Sequence, residues 1–453
     1  MRYVVLVDGE HYPPVVQAAL DDVVAEGHEI AGAVLVGGRE KLPAAGVEAF
    51  GDVAIRTGDD PRVTLDEALR ELSPDGVLDL SDEPVLDYRR RHELIAVALH
   101  HNLTYEGADF SFSAPPRPRL ATKPSLAIIG TGKRTGKTAL GGFTARTLTG
   151  AGVRPVIVSM GRGGPPEPEV MRGDEIEIGP SDLLELADAG KHAASDYIED
   201  ALLGRVQTVG CRRCGGGLAG GVEFSNVSEG VEVANELNGD LLILEGSGSA
   251  IPPVHADATG LVVAASVPLE YLAGYLGPYR LLLSDYVVVT MCEEPFGSPS
   301  QISQITSQVR TAFRGPRDRD EIRVVRTVFR PAPTRSVDGL KVFVATTAPK
   351  EASTPIRKHL EDEHGCKVVG ITHSLSDRKK LEEEIADVRK EADILLCEVK
   401  AAAIDVATRS ALACGMDVVY MDNVPVGIDG DDPAGTTRWA ADVARTRFEQ
   451  GNA

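Results

Sequence analysis

Short apolar runs recur along the chain, and each of them ends in a polar or glycine-rich turn. In the first third, these runs occupy residues 3–7, 31–36 and 76–80. Stretches with a helical spacing of apolar residues lie between them, at residues 15–26 and 65–72. Strands that alternate with helices indicate a parallel sheet covered by helices. We therefore predict a small N-terminal α/β domain over residues 1–110.

A proline-rich segment separates this domain from the rest of the chain. Residues 111–124 contain Pro115, Pro116, Pro118 and Pro124, and they show no regular periodicity. Such a composition is typical of a linker or of an extended strap between domains.

The alternation of strands and helices resumes at residue 125. Strands are predicted at residues 155–160, 240–245, 261–265 and 285–290 and, after a charged break at 314–321, at residues 341–346, 366–372, 393–398 and 417–421. We predict an α/β fold with a mostly parallel sheet over residues 125–330, followed by a C-terminal α/β region over residues 335–453. The pattern leaves open whether the C-terminal strands extend the central sheet, and we favour packing of this region against the central domain.

The strand that begins at Ser125 leads into a glycine-rich loop. This loop consists of Gly130, Thr131, Gly132, Lys133, Arg134, Thr135, Gly136, Lys137 and Thr138. A strand, a glycine-rich loop and a helix in this order are typical of a nucleotide-binding phosphate loop, whose backbone N–H groups surround the phosphates. We predict that Lys137 lies in a solvent-facing loop and binds the β- and γ-phosphates, and that the Thr138 hydroxyl ligates Mg²⁺. Thr131 stands where the usual pattern has its first glycine, so the loop is one residue longer if Gly130 takes that part.

A carboxylate ends another apolar run. Residues 241–244 are apolar and lead into Glu245, which is followed by Gly-Ser-Gly. The carboxyl ends of strands are the ligand-binding edge of an open α/β sheet, and a carboxylate there holds Mg²⁺ directly or through water. We predict that Glu245 and Thr138 form a metal site; the alternative is that Glu245 only ends a strand.

Basic residues that follow predicted strands or precede a glycine-rich segment are candidates for binding an anionic substrate. Arg162 is flanked by glycines and suits a bidentate grip on phosphate, although a solvated arginine in a turn fits the pattern equally well. Arg212 and Arg213 precede a glycine-rich segment, in which residues 216–221 are interpreted as lid-like. Weaker candidates are His11 and Lys400.

Composition and charge narrow the classes of partner. The 453 residues are 43% hydrophobic and 25% charged, with a net charge of −21 at pH 7, which argues against nucleic acid and anionic membranes as partners. An anionic ligand therefore needs a local basic pocket. We find no signal peptide and no run long enough to span a membrane, and six cysteines fit reduced thiols. We expect a soluble cytoplasmic protein of two or three domains.

Longer motifs carry a family resemblance. The loop spacing and the strand that ends in Glu-Gly-x-Gly resemble the dethiobiotin-synthetase-like branch of phosphate-loop proteins. Over its full length, the chain resembles the cyclic 2,3-diphosphoglycerate synthetase family. The motifs that carry this second resemblance are residues 8–14, 130–138, 160–169 and 211–217.

The resemblance implies a chemistry and a set of roles. It implies a ligase that uses ATP and Mg²⁺ to join the two phosphates of 2,3-diphosphoglycerate into an intramolecular anhydride, with release of ADP and phosphate. It also implies catalytic roles for Lys133, Lys137, Arg162 and Glu245, and a homodimer. Lys133 lies four positions before Lys137, whereas some relatives place a second loop lysine five positions before.

Two alternatives come from other functional classes. A GTP-driven metallochaperone would use the same loop, with Cys211 and Cys214 as metal ligands, but no Asn-Lys-x-Asp or Thr-Lys-x-Asp guanine motif is evident. A structural zinc site also needs four ligands, and no second pair lies at a useful spacing. A non-catalytic nucleotide sensor is the other alternative, which the intact Lys137, Thr138 and Glu245 disfavour.

Overall fold

A thirteen-stranded mixed sheet and a six-stranded sheet organise the part of the chain that the structure describes. The structure is a computed structural model, and it describes residues 1–42, 46–192, 195–313, 322–375, 377–399 and 404–451. The strands are β1 (Arg2–Val7), β2 (Glu29–Leu35), β3 (Ile55–Arg56), β4 (Gly76–Asp79), β5 (Thr104–Glu106), β6 (Ser111–Phe112), β7 (Ser125–Gly130), β8 (Pro155–Gly161), β9 (Glu169–Arg172), β10 (Gln207–Cys214), β11 (Phe224–Ser225), β12 (Leu241–Glu245), β13 (Ala258–Ala264), β14 (Tyr286–Thr290), β15 (Arg323–Pro333), β16 (Lys341–Ala345), β17 (Lys367–Thr372), β18 (Ile394–Glu398) and β19 (Asp417–Gly427).

Helices connect most of these strands. The α-helices are α1 (Pro13–Ala25), α2 (Pro61–Leu72), α3 (Tyr88–His100), α4 (Lys137–Gly150), α5 (Pro180–Asp188), α6 (Asp196–Gly204), α7 (Val227–Glu236), α8 (Glu270–Ala273), α9 (Gly277–Leu283), α10 (Pro299–Phe313), α11 (Ser353–His364), α12 (Arg378–Val388), α13 (Ile404–Ala413) and α14 (Pro433–Gly451). Short 3₁₀ turns lie at Arg39–Lys41, Gly46–Phe50 and Lys350–Ala352. The predicted α/β fold class is confirmed.

The six-stranded sheet belongs to the N-terminal part of the chain. Its strand order is β3-β2-β1-β4-β5-β6, with β1 parallel to both of its neighbours. Val5 and Val7 of β1 pack on one face with α1, whereas Val4 and Leu6 pack on the other face with α2 and α3. Helix α3 in turn packs against α9, so the apolar core continues from this sheet into the central part of the molecule.

The large sheet is buried on both faces around β7. Leu126 and Ile128 of β7 face a core that includes α4 and α14, whereas Ala127 and Ile129 face the core that includes α7 and α9. Strand β7 lies between β12 and β13, and it is parallel to both. A parallel strand that is covered on both faces has apolar residues at every position, which explains the continuous apolar run in the sequence.

Strand β15 joins the central strands to the C-terminal strands. Residues 323–326 pair in parallel with β14, and residues 327–333 pair antiparallel with β19. The sheet then continues through β18, β16 and β17, which are parallel to one another. The C-terminal strands therefore extend the central sheet, and α14 returns to pack against α4 and β7. The apolar pattern did not predict β15, which runs past residue 330.

The proline-rich segment is an extended strap that lies on the central unit. Beyond β6, it has no regular structure up to β7. The Pro118 carbonyl accepts a hydrogen bond from the His255 N–H at 2.9 Å, and the Leu120 carbonyl accepts one from Asn235 Nδ2 at 2.9 Å. These contacts fix the path of the strap between the two sheets.

The amino ends of the central strands are held by buried carboxylates. Asp257 accepts hydrogen bonds from the Ser125 N–H (2.9 Å) and hydroxyl (2.7 Å), and Asp285 accepts one from the Thr259 N–H at 2.9 Å. Arg447 of α14 donates to the Asp257 carbonyl and to both carboxylate oxygens of Asp285, at 2.8 to 3.0 Å. This arginine therefore ties the last helix to the edge of the sheet opposite the phosphate loop.

No described helix combines the length and the apolar character that crossing a membrane requires.

Candidate active site

The glycine-rich loop connects β7 to α4 as the sequence predicts. The loop reverses direction through two left-handed residues, Arg134 at φ 58° and Gly136 at φ 93°. Gly136 is the N-cap of α4 and has no side chain that could cover the first amides of the helix. The helix N-terminus therefore remains available to an anion, as a phosphate loop requires.

The Lys137 side chain lies inside the loop. It is only 8% exposed, and its Nζ donates hydrogen bonds to the Gly132 carbonyl at 2.7 Å and to Thr135 Oγ1 at 3.3 Å. A Cβ on Gly130 would lie 2.9 Å from Lys137 Cδ, so this position needs glycine to let the lysine pass. The loop faces solvent at Lys133 and Arg134, as predicted, but it wraps around the ammonium group of Lys137, so this side chain is itself buried.

Glu245 ends β12 and is packed against α4. It is 2% exposed, and it is paired in register with Ile128 of β7 and with Ser159 of β8. A Cβ on Gly141 would lie 1.5 Å from Glu245 Oε1, so the carboxylate fills the place of the missing side chain.

Thr138 and Glu245 provide the kind of oxygens that Mg²⁺ prefers. The Glu245 carboxylate lies against Gly141 of α4. Thr138 is buried three residues before Gly141, on the same side of this helix, so it lies about one helical turn from the carboxylate. Among the described residues, no group of three or more His, Cys, Asp or Glu side chains is suited to a metal ion. A Mg²⁺ ion in a protein typically has a small number of protein ligands, because it keeps several waters and also binds substrate phosphates. The hydroxyl and the carboxylate therefore fit a Mg²⁺–nucleotide complex.

Three basic residues meet beside the loop. A Cβ on Gly248, whose φ is +61°, would lie 3.2 Å from Arg162 Nη2, 3.3 Å from Arg213 Nη2 and 3.9 Å from Lys133 Cγ. Each residue comes from the carboxyl end of a different strand: Lys133 follows β7, Arg162 follows β8 and Arg213 lies near the end of β10. We call Lys133, Arg162 and Arg213 the basic cluster.

Arg213 is the buried member of the basic cluster. It is 9% exposed, and it donates hydrogen bonds to the carbonyls of Ser247 (2.8 Å) and Gly215 (3.1 Å). Burial lowers the pKa of the Arg213 guanidinium, and the positive charge of Arg162 lowers it further. Within the described residues, its buried Nε has no hydrogen-bond partner. Two mutually repelling guanidinium groups with an unused donor suit an anionic ligand.

Arg212 and the two neighbouring cysteines do not join this cluster. Arg212 is exposed, because adjacent residues of a strand point to opposite faces of the sheet. Cys211 is buried against Gly230, which raises the pKa of its thiol to about 12, whereas Cys214 is exposed. The two sulfurs lie on opposite faces of β10 and do not form a shared metal site.

The weaker candidates lie elsewhere. His11 is at the end of β1 in the six-stranded sheet, where its Nδ1 is 2.9 Å from Oδ1 of the buried Asp8. The backbone N–H of His11 also donates to Asp8. This arrangement is typical of a residue that caps a strand end. Lys400 lies outside the described residues.

Two residues that the sequence analysis missed lie against the site. A Cβ on Gly161 would be 3.5 Å from Asp196 Oδ2, and the Asp196 charge partly offsets the lowering of the Arg213 pKa. The Phe329 ring lies under the loop, 2.3 Å from where a Cβ on Gly136 would be. Neither residue gives a signal in the sequence, because Asp196 begins a helix far from any motif and Phe329 lies in β15, which was not predicted.

Comparison with known proteins identifies the family. Family models for the N-terminal, P-loop and C-terminal domains of cyclic 2,3-diphosphoglycerate synthetase match residues 2–113, 125–322 and 333–424. A curated relative of that name from Methanothermobacter thermautotrophicus is 44% identical over 433 residues, which cover 94% of this chain and 92% of the relative. Another, from Rubrobacter xylanophilus, is 46% identical over 433 residues, which cover 95% of this chain and 96% of the relative.

A solved structure of LpxK from Aquifex aeolicus in complex with ATP shows a much weaker likeness. It covers 73% of this chain and 90% of that chain at 13% identity, with a TM-score of 0.41, which is too low to bear on function. The three domain models and the two curated relatives carry the assignment, because together they account for nearly the whole chain. Their common name supports an enzyme, and the chain belongs to the cyclic 2,3-diphosphoglycerate synthetase family.

Proposed function

We propose that the chain uses ATP and Mg²⁺ to convert 2,3-diphosphoglycerate into its cyclic form, with release of ADP and inorganic phosphate. The observation that carries this proposal is the meeting of Lys133, Arg162 and Arg213 beside the phosphate loop. A kinase acting on an uncharged acceptor has no need of three cations there. An acceptor with two phosphates needs such cations for binding, above all in a protein whose net charge is −21.

The reaction proceeds in two displacements at phosphorus. An oxygen of one substrate phosphate bonds to the γ-phosphorus of ATP as the bond to ADP breaks. An oxygen of the second substrate phosphate then bonds to the phosphorus of the first, and the transferred phosphoryl group leaves as inorganic phosphate. Both steps bring anions together, so the protein contributes mainly charge neutralisation and alignment.

The residues divide into two groups. The loop amides and Lys137 bind the nucleotide phosphates, and Thr138 and Glu245 would hold Mg²⁺, which would neutralise charge on the transferred group. Lys133, Arg162 and Arg213 bind the two substrate phosphates and hold them within reach of each other. A homodimer stays a prediction.

A GTP-driven metallochaperone is the weaker alternative. Its metal ligands would be Cys211 and Cys214, which point to opposite faces of β10.

Turnover assays test the reaction directly. We expect release of ADP and phosphate to require 2,3-diphosphoglycerate, because the substrate supplies the attacking oxygen. Phosphorus NMR of the product should show a new anhydride, and GTP should replace ATP poorly. Equal turnover without 2,3-diphosphoglycerate, or a clear preference for GTP, would contradict the proposal.

Substitution of the loop lysine tests the nucleotide site. Lys137→Ala should reduce turnover to less than about a tenth, because it removes a charge that the transition state requires. Lys123→Ala is the matched control, since Lys123 also donates to a main-chain carbonyl (Ala234, 3.2 Å) but lies at the amino end of β7. Steady-state rates and circular dichroism of both variants separate lost chemistry from lost structure. Higher residual activity in Lys137→Ala would refute this role.

Substitution of the strand-end carboxylate tests the metal site. Glu245→Gln should lower turnover greatly and weaken Mn²⁺ binding measured by EPR, while calorimetry still detects ATP binding to the loop amides. Glu398→Gln is the control, because Glu398 also ends a buried strand but is hydrogen-bonded to Thr346 and Thr347. The control should retain its turnover. Unchanged turnover of Glu245→Gln at saturating Mg²⁺ would leave Glu245 with a structural role only.

The basic cluster predicts an effect specific to the substrate. Arg162→Ala should raise the apparent KM for 2,3-diphosphoglycerate more than the KM for ATP, and it should also lower kcat. Arg162→Lys should restore only part of the loss, because lysine cannot form a bidentate grip. Arg212→Ala, on the opposite face of β10, should change neither constant. If Arg162→Ala weakens ATP binding alone, Arg162 belongs to the nucleotide site.

A further inference from the structure

A second buried arginine, Arg280 of α9, lies behind the basic cluster. It is 5% exposed, and its guanidinium donates to main-chain carbonyls from two separate loops. The Ser249 carbonyl accepts from Nε at 3.1 Å and from Nη2 at 2.7 Å. The Leu218 carbonyl accepts from Nη1 and Nη2 at 3.3 Å each, and the Leu276 carbonyl accepts from Nη1 at 3.0 Å.

The dipoles of main-chain carbonyls stabilise the positive charge of Arg280. Among the described residues, no carboxylate forms a salt bridge with it, and burial lowers the pKa of its guanidinium to about 10. At neutral pH the group remains protonated, since this pKa is still well above 7. A buried charge without a counter-ion is expensive, and here hydrogen bonds to three main-chain carbonyls offset that cost. The charge of Arg280 therefore serves to hold these carbonyls rather than to fill space.

The two loops that Arg280 holds are the ones that shape the basic cluster. Ser249 follows Gly248, around which the cluster meets, and Ser247 in the same turn accepts a hydrogen bond from Arg213. Leu218 lies in the glycine-rich segment that continues from Arg213. That segment is not a free lid, because the Gly220 carbonyl also accepts a hydrogen bond from the Ile251 N–H at 2.8 Å.

We propose that Arg280 is a positioning residue that clamps residues 215–221 to residues 247–251 and so aims Arg213 at the substrate phosphates. Arg213 grips one side of the 247–250 turn through the Ser247 carbonyl, and Arg280 grips the other through the Ser249 carbonyl. Without Arg280, the contacts that join Leu218 to Ser249 are lost, and the Gly220–Ile251 hydrogen bond and Arg213 alone connect the glycine-rich segment to the turn among the contacts described above. The effect on substrate binding rests on the proposed function, whereas the clamp itself does not.

Hydrogen exchange tests the clamp without reference to any substrate. Arg280→Met should increase amide exchange in residues 215–221 and 247–251 of the full chain, because it removes the donors to both loops. Arg447→Gln is the control: Arg447 also grips a carbonyl and a buried carboxylate, but at the opposite edge of the sheet. Its effect should be confined to that edge. Unchanged exchange in both loops of Arg280→Met would overturn the proposal.

Kinetics test whether the clamp serves the basic cluster. Arg280→Met should raise the KM for 2,3-diphosphoglycerate about tenfold or more, with a much smaller change in the KM for ATP, since small displacements of a binding group are costly. Arg280→Lys should restore part of the affinity, because an ammonium group can still donate to the carbonyls. A merely structural role would lower stability and leave the ratio of the two KM values unchanged.

A double variant decides whether Arg280 acts through Arg213. Arg213→Ala combined with Arg280→Met should be no worse in the KM for 2,3-diphosphoglycerate than Arg213→Ala alone. Additive effects would overturn the proposed route. If Arg280→Met fails to fold, Gly220→Ala disturbs the same contact between the glycine-rich segment and residues 247–251. The added Cβ would lie 2.7 Å from Ile251 Cγ1 and 3.1 Å from Arg280 Nη2.

The two proposals fail in different ways. If the wild type neither binds 2,3-diphosphoglycerate in calorimetry nor turns it over, the proposed function is refuted, and the exchange measurement alone decides on the clamp. If the wild type is active and the loops of Arg280→Met exchange faster while both KM values stay unchanged, the positioning role is refuted and the proposed function stands.

Discussion

Repulsion between like charges is the constraint on which the candidate site depends. Arg162 and Arg213 both approach Gly248, and the positive charge of Arg162 lowers the pKa of the buried Arg213. Main-chain carbonyls rather than carboxylates hold Arg213 in place, through Ser247 and Gly215. Carbonyl dipoles stabilise a cation without cancelling its charge. The site therefore keeps a positive potential that an incoming polyanion can neutralise, although the protein as a whole is strongly acidic.

The basic cluster needs several strands, because no single strand end could supply all of its cations. Each cation of the basic cluster reaches Gly248 from a different strand end, and Lys133 does so as part of the phosphate loop that follows β7. Parallel strands place their carboxyl ends at one edge, so residues that are far apart in sequence meet there. The carboxylate of Glu245 enters the same space because Gly141 leaves room on α4.

Much of this arrangement could be predicted from the sequence, because local patterns report local structure. The phosphate loop, Glu245 and Arg162 each lie directly after an apolar run, and the structure places all of them at the predicted edge. Arg212 and Arg213 were not distinguished, because strand β10, which carries both, was not predicted, and its orientation in the sheet decides which of the two faces the site. Arg280 follows Tyr279 and precedes three leucines, a setting that gives no hint that its partners are carbonyls in distant loops.

Strand β15 was missed for a related reason, since it contains Pro331 and Pro333 and finds its two partners in opposite directions along the chain. Strand β15 pairs with both the central strands and the C-terminal strands, and this limits where the protein can be divided. A chain cut before β15 leaves the outer side of β14 without a partner, and a chain that starts after β15 does the same to β19. Exposed edges of this kind are templates for pairing with other chains. Strand β15 therefore covers an edge of both groups of strands, and it joins the central and C-terminal parts of the described chain in one continuous sheet.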